Sequence, residues 1–81
     1  MAIQVLQPLD WDGQPKRQAE WFRLTKGTRQ AVCTMYSHQF GWEMWLEIDG
    51  DLIQSHVCRD QEEVFSTWEK WQAAMKEKDW H

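Results

Sequence analysis

Four residues in this 81-residue chain carry ligand or nucleophile chemistry at workable spacing: His38, Glu43, His56 and Cys58. Imidazole, carboxylate and thiolate are the donor types of zinc sites. A cysteine, a histidine and a glutamate within reach of one another can also serve nucleophilic catalysis. Either chemistry requires the four side chains to converge. His56 and Cys58 are two apart on one strand-like run, Glu43 is expected opposite His56 on the preceding run, and His38 closes the run before that. All four are thus expected near one end of the outer face of a sheet. Residues two apart on a flat strand make no pocket that excludes water, and a Glu opposite a His is an ordinary favourable cross-strand pair. The expectation is no catalytic residue, no cofactor and no metal, with these four as the weak candidate for a metal.

The elements that position them start from the stretch Gly41–Cys58. Two runs of strand formers flank Asp49-Gly50, a pair that tolerates the positive φ of a type I′ hairpin turn. A regular two-residue turn sets Ile48 opposite Asp51, Leu46 opposite Ile53, Met44 opposite Ser55 and Trp42 opposite Val57. Trp42, Met44, Leu46, Ile48, Ile53 and Val57 then form a core face, with Glu43, Trp45, Glu47, Leu52, Gln54, His56 and Cys58 on the other.

Upstream, Glu20–Lys26 and Thr28–His38 read as a second hairpin about Gly27. A Lys26-Gly27 loop places Phe22 opposite Ala31 and puts Phe22 and Leu24 inside. A three-residue turn would slip the first strand by one and turn Trp21 inward instead. The connection through His38–Gly41 pairs Ser37 with Trp42, Met35 with Met44, Cys33 with Leu46 and Ala31 with Ile48. Downstream, Asp60 as N-cap and Glu63 three residues later mark a helix start. Val64, Trp68, Trp71 and Met75, flanked by Phe65 and Ala74, form one apolar stripe over a helix from about Gln61 to Lys78. Trp80 follows as a hydrophobic tail.

The expected fold is α+β: a four-stranded antiparallel meander with one C-terminal helix packed on one face (ββββα), preceded by an extended N-terminal arm. The arm covers residues 1–19, broken by Pro8, Gly13 and Pro15, and the single domain covers residues 20–81. Cys33 and Cys58 are expected on opposite faces, too far apart for a disulfide.

Composition narrows the function classes. Thirteen acidic against nine basic residues give a net charge of −4, which weighs against a protein built to grip phosphate backbones. No glycine-rich phosphate loop, G-x-S-x-G or H-E-x-x-H is present. No apolar run approaches the ~20 residues of a membrane span, and the two cysteines do not form C-x-x-C, so a cytoplasmic protein with reduced thiols is expected.

Seven tryptophans exceed what one small core can hold. The surplus is expected on the outer sheet face, as Trp21, Val32, Tyr36, Trp45 and Leu52, with Arg23, Glu43 and Glu47 at intervals. An apolar, aromatic patch rimmed by charge is what a protein–protein contact presents. The leading expectation is a small non-enzymatic interaction module, a homodimer or an accessory subunit of a larger protein. Alternatives are the N-terminal arm folding over that face, a sheet that stacks single-stranded nucleic acid on its aromatics, and a small metal- or thiol-dependent enzyme.

Overall fold

The computed structural model describes residues 13–81, and within them the chain forms four strands and one helix. Strands β1 (Arg17–Lys26), β2 (Arg29–His38), β3 (Gly41–Ile48) and β4 (Asp51–Cys58) make one antiparallel sheet in sequence order. Helix α1 (Gln61–Glu77) lies across one face. β1 begins three residues before the expected start at Glu20. Whether an arm covers the sheet concerns residues 1–12, which lie outside the described residues.

The Asp49-Gly50 turn forms as its chemistry dictates, with φ of 52° at Asp49 and 88° at Gly50. The Asp49 carboxylate reaches across the sheet, accepting the Gln30 N–H (3.0 Å) and pairing with Arg29 Nε (3.1 Å). Those two contacts, the Gln30 N–H first, hold its pKa below the usual carboxylate value. β2 and β3 pair as the sequence predicts, from Ala31↔Ile48 through Cys33↔Leu46 and Met35↔Met44 to Ser37↔Trp42, with one further pair at His38↔Gly41.

Both outer strands depart from regular pairing. The first turn is Gly27-Thr28, closed by Lys26↔Arg29, so Leu24 rather than Phe22 faces Ala31. That two-residue displacement leaves Phe22 and Leu24 inside, because the side-chain period is two. Further along, the pairing steps from Phe22↔Cys33 to Glu20↔Thr34, leaving Trp21 as an extra residue. In β4 the pairing steps from Glu47↔Leu52 to Leu46↔Gln54, leaving Ile53 extra. The β4 bulge turns the remainder of its strand over relative to a regular ladder, whereas in β1 a second step, from Ala19↔Met35 to Arg17↔Tyr36, leaves Gln18 extra and restores the facing.

The helix starts as its sequence predicts. The Asp60 carboxylate accepts the Glu63 N–H at 2.8 Å, while the Glu63 carboxylate reaches past the cap to accept the Arg59 N–H at 3.0 Å. The stripe it buries is Val64, Thr67, Trp71 and Met75, so Thr67 takes an inner position and Trp68 is half-buried beside it. Trp80 is buried, its N–H bonded to Met75 O, and the His81 N–H reaches Thr25 O on β1. The core between helix and sheet contains Phe22, Leu24, Ala31, Cys33, Met35, Trp42, Met44, Leu46 and Cys58. Ile53, expected in it, is 57% exposed.

Candidate functional site

Three regions of the described surface hold residues with functional potential, and the bulges at Trp21 and Ile53 decide much of what they contain. On the outer face of the sheet, Tyr36 and Trp45 sit on neighbouring strands with ring centroids 4.3 Å apart and planes tilted by 37°. They are diagonal neighbours, since Trp45 pairs with Thr34 and Tyr36 with Glu43. The methyl and hydroxyl of Thr34 are buried (2% exposed). Trp45 faces Ser55 on β4 rather than the expected Gln54. Its Nε1 is buried and has no hydrogen-bond partner among the described residues. Val32 is half-buried and Leu52 is half-exposed on the same face. At the β1 edge Arg23 makes two bonds to Glu20 (2.8 and 3.0 Å) and one to Gln30 (2.7 Å), and Arg17 reaches Glu20 at 3.1 Å. The Arg23 hydrogen bonds draw the Glu20 pKa below its usual value.

Trp21 does not belong to this face. As the bulged residue it turns to the helix side, stacks on Trp68 (5.7 Å, 6° between planes) and meets the Phe65 ring edge-on at 5.6 Å. Both Phe22 and Trp21 therefore serve the core side, a combination that neither of the two regular registers allows.

At the junction of β4 and α1 the bulge at Ile53 breaks up the expected tetrad. His56 pairs with Met44 and Glu43 pairs with Val57, so Glu43 and His56 lie on opposite faces. His38 stays with the outer-face residues, its Nδ1 accepting the Phe40 N–H. His56 and Cys58 instead face the helix, where they meet Glu63. His56 Nε2 lies 2.9 Å from Glu63 Oε2, and Cys58 Sγ lies 3.7 Å from the Thr67 hydroxyl. One donor atom from each of His56, Cys58 and Glu63 falls within 4.8 Å of the other two. Cys58 is fully buried while the His56 side chain is 48% exposed. Burial pushes the Cys58 thiol up, partly offset by the Thr67 hydrogen bond, and the negative charges of Glu63 and Asp60 push it further. The Arg59 N–H, and then His56, hold Glu63 down. Cys33 lies on the same face, not the opposite one, and burial pushes its thiol up to about 12. Both thiols are free.

Glu63 and Thr67 are the residues that sequence reasoning missed here. Glu63 is visible in the sequence as a helix-start residue, but its role beside His56 depends on the bulge at Ile53.

The third region is a groove of about 590 Å³ at the turn end of the molecule. Leu46, Ile48, Ile53, Trp71, Met75 and Trp80 form its apolar wall. Lys26, Arg29 and Lys78 are the charged residues among its lining, and Arg29 is committed to Asp49.

These features define an open two-layer ββββα protein with one aromatic sheet face clear of the helix and a mixed nitrogen, sulfur and oxygen donor cluster at the strand–helix junction. No protein-family model matches the chain, and neither a curated protein nor a solved structure resembles it significantly. Among the described residues, no helix is long and apolar enough to cross a membrane.

Proposed function

We propose that this protein is a non-enzymatic interaction module that self-associates through the outer face of its sheet. The observation that carries this reading is the Tyr36–Trp45 pair at the middle of a face that the helix does not cover. A solvated antiparallel face is ordinarily polar, whereas this one places two aromatic rings beside the row Val32–Glu47–Leu52. Tyr and Trp offer large rigid contact area and dominate interface energetics. A second copy is the partner that fits best. A patch centred on Trp45 can meet the same patch of a second copy about a two-fold axis.

A nucleic-acid role is less well supported by the same face. Arg17 and Arg23 are both tied to Glu20, which leaves little cationic surface beside the aromatics among the described residues, and the chain is acidic overall. Thiol catalysis is disfavoured because the Cys58 pKa is raised, and an activated cysteine needs it lowered. Two buried free thiols suit a reducing compartment, so we place the protein in the cytoplasm.

Trp45→Glu tests the reading, because an unpaired carboxylate at the centre of an apolar contact must be desolvated for the face to dock. Sedimentation velocity is expected to show a dimer for wild type and a folded monomer for the variant, with circular dichroism unchanged. A monomeric wild type, or equal association in both, overturns self-association through this face. A variant that unfolds as a monomer assigns Trp45 to the interior of the single chain.

A further inference from the structure

We propose that His56, Cys58 and Glu63 bind a divalent transition-metal ion, with zinc the best fit to one nitrogen, one sulfur and one oxygen donor. A tetrahedral zinc with bonds of ~2.0–2.3 Å sets its donors roughly 3.3–3.8 Å apart. The three donor atoms already lie within 4.8 Å of one another, so side-chain rotation of about an ångström closes the set. His56 coordinates as the neutral imidazole through Nε2 and Glu63 through Oε2, the metal replacing the bond they now share. Cys58 coordinates as the thiolate and releases one proton to solvent.

Three further observations support the assignment. The remaining polar atoms of the ligands are already oriented, as outer partners orient metal ligands generally. The Arg59 N–H holds the second Glu63 oxygen at 3.0 Å, and the Thr67 hydroxyl sits 3.7 Å from the sulfur. The placement of charge also favours a cation: the Asp60 and Glu63 carboxylates both stand at the start of α1, where Asp60 caps the helix and Glu63 meets His56. Those carboxylates offset the positive end of the α1 dipole, which would otherwise oppose a cation here. Finally, a hollow of about 220 Å³ lined by Gln54, His56, Thr67, Lys70 and Trp71 opens beside the cluster. It supplies the entry path a metal site requires. Three protein ligands leave a fourth position open toward solvent or an added anion, and Lys70 on the wall of the hollow suits an anion there.

The test is spectroscopic. Full-length reduced protein is titrated with Co²⁺, which takes tetrahedral sites and reports a sulfur ligand by thiolate-to-cobalt charge transfer in the near ultraviolet. We expect that band to saturate at one equivalent, to be bleached by Zn²⁺, and to persist in Cys33→Ala. Cys58→Ser is expected to abolish it. His56→Asn and Glu63→Gln, changes at partly exposed side chains, are each expected to weaken Co²⁺ binding on the order of 10–100-fold with circular dichroism unchanged. They carry the test if Cys58→Ser perturbs folding. A wild type without the band at stoichiometric Co²⁺ overturns the proposal. So does a band that survives in Cys58→Ser, or affinity unchanged in both His56→Asn and Glu63→Gln.

Discussion

β2 and β3 pair without interruption from Ala31↔Ile48 to His38↔Gly41, whereas β1 and β4 each carry residues that have no partner in the ladder. The inner strands are bonded on both sides and bury Ala31, Cys33, Met35, Met44 and Leu46 beneath the helix. A slip of one residue there would invert a fully packed face and break two ladders at once. An outer strand has one ladder to lose, and its free edge lets it bend. β1 and β4 use that freedom to bring a side chain to the helix: Trp21 against Trp68 and Phe65, and Cys58 beneath Thr67. Regular pairing thus builds the sheet, and the bulges decide what meets at the helix. The outer-face aromatics come from the regular part and the donor cluster comes from the bulged part.

The contrast has measurable consequences. Met44 lies on an inner strand and is fully buried, so Met44→Ala is expected to destabilise by ~2–5 kcal/mol, the range for opening a cavity in a packed core. Urea denaturation measures it, and a loss below about 1 kcal/mol would mean that the inner strands are no more constrained than the outer ones. In a domain of this size such a loss consumes much of the total stability.

Deleting Ile53 tests the bulge itself. Without it, Gln54 follows Leu52 in a regular ladder and His56 and Cys58 keep their facing. Ile53 is largely exposed, so the deletion is expected to change stability by about 1 kcal/mol or less. In a Cys33→Ala background, the remaining thiol is expected to stay as unreactive toward a disulfide reagent as in the undeleted chain. Were β4 regular, Cys58 would already face outward in the undeleted chain and react at the rate of an exposed thiol, and the deletion would turn it inward and slow it.

The smallest effect concerns the turn that ties β4 to the inner strands. Asp49 is held below the ordinary carboxylate pKa by the Gln30 N–H and Arg29. A depressed folded-state pKa stabilises above the unfolded value of about 3.9 and the contribution is lost as pH falls through the folded value. Asp49→Asn, which keeps a residue tolerant of positive φ, is expected to lower the urea midpoint slightly at pH 6 and to converge on wild type at the acid end. Parallel curves across that range would show that the cross-sheet contact carries no net free energy.

Much of this was legible from residue order. Asp49-Gly50 specified a two-residue hairpin turn through its backbone preferences, and the turn formed. The alternation in β2 and β3, checked against the loop between them, specified their register. Asp60 specified the helix start, and the spacing of Val64, Trp71 and Met75 specified most of the face it buries, although Thr67 is buried where Trp68 was expected and Phe65 and Ala74 are exposed. Those signals are local, set by backbone sterics and by periods of two and 3.6 residues. The Tyr36–Trp45 pair followed from them, since both residues lie in the regular part of the sheet. The bulges at Trp21 and Ile53 have no comparable local signal. In β4 a regular ladder would bury Ile53 and Val57, and on hydrophobicity alone it is the better choice. What overrides it is close packing at the far end. Gly41, at φ 142°, lies so close to Cys58 O that a Cβ there would come within 2.3 Å of it. The Cys58 side chain meanwhile fills the space below Thr67. A turn pins only the pairs beside it, so a contact six residues away was free to set the rest of the strand. Tertiary packing therefore decided that Trp21 joins the helix and that His56 and Cys58 meet Glu63 instead of Glu43 and His38.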